Sequence, residues 1–123
     1  LLQSVTMDLG NTVEYRELVG ASSAKEVLIT DRAASGSVSI EAVALGTKDY
    51  FAAALAEGSL GNLQFLHGTT AGNKVQLTSS RVDIGDVAYS DMQGVVMLDI
   101  PFTLVPSASS TAAEGDEFSL IYT

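Results

Sequence analysis

At 123 residues the chain has the size of one domain with its own core, and without a cysteine it holds neither a disulfide framework nor a thiolate metal site. Its formal net charge is −9, with 6 basic side chains scattered among 15 acidic ones, which argues against the phosphate-neutralising grip of a nucleic-acid binder. No apolar run approaches the ~20 residues of a membrane-spanning helix.

The charge is uneven. Residues 1–40 carry three basic and five acidic side chains, residues 41–80 two and three, and residues 81–123 one and seven. The plain consequence is solubility. The sharper one is a surface from which passing nucleic acid is repelled. The chain begins at Leu1 without a methionine, so the expectation is a domain, 1–123, cut from a longer protein.

In chain order, Val5, Met7 and Leu9 alternate with Ser4, Thr6 and Asp8, the period-2 pattern of a half-buried strand. Gly10-Asn11 signals a turn or bulge, and Thr12 to Leu18 suits a strand or an extended arm. After the small-residue loop Gly20 to Ala24, Glu26 to Arg32 reads as a strand centred on Val27, Leu28 and Ile29. Ala33 to Gly36 turns the chain into a second alternating run, Ser37 to Glu41, so these two are expected to form a hairpin.

One helix is expected over Lys48 to Glu57. Thr47 is its N-cap, Asp49 complements the helix dipole, and Gly58 is its stop. Phe51, Ala54 and Leu55 form an apolar stripe for packing on a sheet. Asn62 to His67 and Lys74 to Ser79 follow as strands around a glycine loop, with Val75 and Leu77 on one face. In the mixed stretch Ser80 to Asp91, Val82, Ile84 and Val87 are the inward candidates. Met92 to Val105 reads as one long strand, too β-branched for a helix, in which Pro101 calls for an edge or a bulge. A polar loop, Pro106 to Gly115, leads to a closing strand, Glu117 to Thr123. The class is therefore mainly β (α+β), with about seven strands and one short helix.

Catalytic signatures are thin. His67 is the only histidine and no Gly-x-Ser-x-Gly elbow accompanies it, so a surface role at a strand end is expected. Asp83, Asp86 and Asp91 lack EF-hand spacing, and with Glu114, Asp116 and Glu117 they read as solvated loop carboxylates first and as weak cation sites second. Gly58 to Gly61 and Gly68 to Gly72 lack the Gly-Lys-Ser/Thr ending of a phosphate loop. No catalytic, metal or cofactor-binding residue is assigned, and no enzymatic activity is expected.

The order of elements carries a resemblance. It rests on Leu9 to Val13, Thr30-Asp31-Arg32 before Gly36-Ser37-Val38, Glu41-Ala42-Val43, Lys48 to Ala54 and Ala71 to Val75. It continues through Tyr89 to Gly94, Ile100 to Leu104 and Gly115 to Leu120. Over essentially its whole length the chain resembles the C-terminal domain of the tail tube protein of long-tailed bacteriophages and prophages.

That resemblance implies a β-sandwich or half-barrel with a helix at its side. Its subunits would join edge to edge into rings around a lumen, and the rings would stack into a tube in the virion, made in the bacterial host cytoplasm. The partners it implies are further copies of the chain, in hexameric or trimeric pseudo-sixfold rings, with the tape measure protein and other tail proteins. Double-stranded DNA would pass through without specific binding at ejection, and no membrane or cofactor is implied. Ala71 to Lys74, Pro106 to Gly115 and Leu1 to Leu18 are the candidate ring or stacking contacts, by exposure. The competing reading is a β-sandwich binding module of a virion or cell surface, such as a decoration, baseplate or adhesion domain. A small hydrolase working through His67 comes third.

Overall fold

Residues 1–17, 25–56, 61–106 and 116–123 are described by a computed structural model. In them the chain forms a curled half-barrel sheet with one short helix and a separate hairpin, so the mainly β class is observed. The strands are β1 (Leu2–Asp8), β2 (Asn11–Glu17), β3 (Lys25–Arg32), β4 (Ser35–Glu41), β5 (Gly61–His67), β6 (Val75–Ile84), β7 (Ala88–Met92), β8 (Val95–Leu104) and β9 (Ser119–Tyr122), with helix α1 (Tyr50–Leu55) between β4 and β5.

The main sheet has seven strands in the order β1-β4-β8-β6-β5, with β7 added to β8 and β9 to β6. Every pairing in it is antiparallel. Strand β8 organises the sheet because it is shared. Along one edge it pairs β4 from Met97 to Thr103. Along the other it pairs β7 from Val95 to Asp99, then β6 from Phe102 to Leu104.

Alternation decides the faces. Leu98, Ile100, Phe102 and Leu104 of β8 are buried, and Asp99, Pro101 and Thr103 between them point away. Phe102 and Leu104 join Ala34 and Val82 in the core, with Met7, Val38, Leu63 and Phe118 packed against them. Burial of Val82, Phe102 and Leu104 stabilises the fold by about 1.5–3 kcal/mol each.

Strand β6 keeps both of its halves in the core by means of a bulge. Gly61 pairs with Val82 but Leu63 pairs with Ser79, so β6 carries one extra residue there. The face therefore switches. Val75, Leu77 and Ser79 point inward before the bulge, and Val82 and Ile84 after it. The alternating run from Lys74 and the mixed stretch from Ser80 are thus one strand up to Ile84, where two segments were expected.

Four further expectations need correction. The run Glu26–Arg32 does not pair with Ser37–Glu41; β3 pairs β2, and β4 lies between β1 and β8. The expected long strand from Met92 is two strands, because Gln93 (φ 54) and Gly94 (φ 85) make a tight turn between β7 and β8. Both residues have positive φ, the signature of a type I′ hairpin.

The helix is shorter than its apolar pattern. It is capped by Asp49, whose Oδ1 accepts from Ala52 N at 2.9 Å, so Thr47 lies outside it. None of its residues is buried, and Leu55 is 82% exposed. Phe51 of the expected stripe does pack on the sheet, against the Tyr89 ring of β7, centroid to centroid at 5.2 Å. The fourth correction is Glu117, taken as a solvated carboxylate and in fact buried at 8% exposure. Gly20 to Ala24, Gly58, Glu114 and the loop from Ser107 to Gly115 fall outside the described residues.

Pro101 explains how a proline is tolerated on a central strand. Its carbonyl accepts from Gly85 N at 2.9 Å, on the side of β6 and β7. In an extended strand the N and the C=O of one residue point the same way, so the missing donor also lies on that side. That position falls in the break between the end of β7 and the end of β6, and the β4 ladder loses nothing.

Candidate assembly surfaces

Three surfaces stand out, each a direct result of strand register. The first is the β2–β3 hairpin, whose strands pair with each other and with no other described strand. Val13 pairs with Ile29 and Tyr15 with Val27, so these four side chains share one face. They are 59%, 60%, 52% and 64% exposed. Glu14, Arg16 and Glu26 occupy the opposite face, with Leu28 half-buried among them. The hairpin is amphipathic, and its apolar face points away from the core. A bulge at its base, where Thr12 pairs with Asp31 but Val13 with Ile29, sets this register.

The second surface is the outward face of β1, β4 and β8. Cross-strand partners there are mostly hydroxyls and carboxylates: Asp8 with Ser35 and Thr103, Thr6 with Ser37 and then Pro101, and Ser4 with Ser39 and Asp99. No basic residue occurs in these three strands. The Thr6 and Ser37 hydroxyls lie 2.8 Å apart. Ser39 Oγ donates to Asp99 Oδ1 at 2.6 Å and lies 3.2 Å from Gln3 Oε1. A hydroxyl has one proton, and at this distance the carboxylate takes it. The Ser39 and Ser90 hydroxyls hold the Asp99 carboxyl below its ordinary range, against partial desolvation.

The third surface consists of sheet edges. Among the described residues, β1 pairs only β4 and β5 pairs only β6, so each end of the curled sheet presents a row of backbone donors and acceptors that no described strand pairs. Strand β9 adds another edge, with Leu120, Ile121 and Tyr122 exposed beside it.

Two grooves lie along the main sheet. A groove of about 490 Å³ runs along β5, β6 and the segment before β9, lined by Asn62, Gln64, Thr78, Ser80, Phe118 and Asp116. Asp116 is the one titratable side chain among its described lining residues. A smaller groove of about 300 Å³ lies between Leu1, Leu2, Glu41, Met92, Val95 and Met97. His67 is exposed at the end of β5, and Asp83, Asp86 and Asp91 are exposed and dispersed. Among the described residues no three His, Cys, Asp or Glu side chains gather as metal ligands.

Of the contact segments expected from sequence, Leu1 to Glu17 forms β1 and β2 and supplies both a sheet edge and half of the hairpin. Ala71 to Asn73 is an exposed turn, but Lys74 is tied to Thr123 by two backbone bonds of 2.8 and 3.0 Å. The hairpin's β3 half was missed. Its signal was present in Val27 and Ile29, two apolar residues in a strand that was given the wrong partner. Neither a scan against protein-family models nor a search of curated proteins finds a match for this chain.

Proposed function

We propose that this chain is a structural subunit of a bacteriophage tail tube, assembling with further copies of itself into rings that stack around a DNA-conducting channel. The observation that carries this reading is the hairpin. A two-stranded ribbon that stands off the sheet with Val13, Val27 and Ile29 exposed is a surface for a neighbour to cover.

The two open sheet ends support the same reading, since a ring closes through head-to-tail contacts between different edges of identical subunits. The hydroxyl and carboxylate face, free of Lys and Arg, suits a lumen wall along which DNA slides without sticking. In this proposal the rings are hexameric or pseudo-hexameric, and the tape measure protein fills the tube before ejection. The subunit works in the virion tail without catalysis or cofactor.

Size sets how assembly proceeds. The apolar face of one hairpin offers on the order of a few hundred Å², well below the ~1,000 Å² of a specific interface. A single hairpin contact therefore cannot hold a pair. Edges and hairpins must engage together, and assembly should rise steeply with concentration.

The second reading, a binding module of a virion or cell surface, draws on the groove beside β5, whose amides and hydroxyls (Asn62, Gln64, Thr78, Ser80) suit a polar ligand. Light scattering coupled to size-exclusion chromatography over a concentration series, with negative-stain imaging of the heaviest fraction, separates the two. Rings or tubes with a central channel are expected. A strict monomer at every concentration, in this chain and in any longer chain containing it, would sink the tube reading.

A further inference from the structure

We propose that Arg32 and Glu117 form a latch that ties the position of the β2–β3 hairpin to the seating of the C-terminal strand β9, so that a partner engaging one is felt at the other. Arg32 is the last residue of the hairpin, paired with Asn11, and Glu117 lies two residues before β9. Arg32 Nε is 3.5 Å from Glu117 Oε1. The two elements are far apart in sequence and share no sheet, yet their bases meet at this pair.

The Glu117 end is fixed from several sides. Its backbone carbonyl accepts from the buried Ser79 hydroxyl at 2.6 Å, and the next residue, Phe118, packs against the core. Strand β9 begins immediately afterwards and, among the described residues, pairs only β6, from Thr78 to Val75. On the Arg32 side, Ala34 is buried and its carbonyl accepts from Leu104 N at 2.9 Å.

The coupling follows from the cost of a buried charge. A carboxylate at 8% exposure requires a partner, and without Arg32 it must find water. The direct route is to lift the 116–118 segment from the core, which loosens the start of β9. In the other direction, a two-stranded ribbon is marginal by itself, so the hairpin relies on its base for order. Losing Glu117 removes a side-chain tie at that base. Each element thus contributes half of one contact, and a change in either half alters the other's equilibrium equally. This inference holds whether or not the chain builds a tube.

Amide hydrogen exchange on the monomer reads the latch directly. Lys74 and Thr123 bond to each other, so by antiparallel alternation the β9 amides donating to β6 are those of Ser119 and Ile121. Arg32→Gln is expected to accelerate exchange at these two amides at least tenfold, although the substitution lies on the hairpin. Glu117→Gln is expected to accelerate exchange in Val13–Arg16 and Val27–Ile29 by a similar factor. The double variant should exceed neither single one at its own element. Glu117→Gln leaves no unpaired buried charge and keeps the test alive if Arg32→Gln does not fold. Acceleration confined to the substituted element overturns the proposal, as does acceleration of β4 and β8 in step with the rest.

Discussion

The Phe102 ring lies directly over Gly36, its partner across β4 and β8. A Cβ on Gly36 would sit 2.6 Å from Phe102 Cζ and collide with the Thr6 carbonyl on the other side. Glycine is required here by close approach, since the aromatic ring fills the space that a side chain would take. Gly36→Ala should therefore destabilise the domain by about 1–3 kcal/mol, the usual cost of overpacking. Phe102→Ala should cost about 3–5 kcal/mol through the cavity it leaves. Urea unfolding followed by far-UV circular dichroism measures both, and a neutral Gly36→Ala would contradict the packing.

Asp99 contributes a defined pH dependence. The Ser39 hydroxyl first, and the Ser90 hydroxyl second, lower its pKa in the folded state below the ordinary 3.8. A depressed carboxyl stabilises the fold at pH above its unfolded value, and that contribution is lost as pH falls through the lower folded value. Stability should thus decline over the acid range below about pH 4. Ser39→Ala should flatten this decline, seen in chemical denaturation repeated at several pH values. An unchanged slope would remove Asp99 from the account.

The turn at Gln93-Gly94 is built with one unsuited residue. Both positions have positive φ, where glutamine is strained and asparagine or glycine is at ease. Gln93→Asn should raise stability by about 0.5 kcal/mol, and Gly94→Val should lower it by about 1–2 kcal/mol. The difference in denaturation midpoint decides, and stabilisation by Gly94→Val would refute the turn type.

The hairpin face predicts a separation of stability from assembly. Val27→Thr with Ile29→Thr removes apolar surface at positions already more than half exposed. Monomer stability should stay within about 0.5 kcal/mol. Self-association should weaken at least tenfold in the concentration series. Loss of stability without loss of assembly would mean that this face packs against the body.

Much of the sheet was legible because alternation is local. Val5 and Met7, Val38, Val75 and Leu77, and Val82 and Ile84 all point where their spacing placed them. Pairing was not local. Strand β3 was matched to its nearest neighbour in sequence, but β2 claims it and β4 is carried to β8 some 60 residues further on. The β7–β8 turn was hidden by Gln93, a residue that does not advertise positive φ. Glu117 was misread for a different reason. A carboxylate next to two other acids looks solvated, and only the approach of Arg32 makes its burial tolerable. The hydroxyl face was likewise visible only as the polar half of each strand until register set the strands side by side.

The break at Pro101 gives the domain a mechanical direction. Across Ile100 and Pro101, β8 has a continuous ladder only toward β4, with the single Gly85 bond on its other side. A load passed from β7 to β6 must detour through that one row of bonds. Among the described residues, the sheet is held across this gap by the β4–β8 ladder and the Gly85 bond, so a force separating β7 from β6 meets fewer hydrogen bonds there than along either flank.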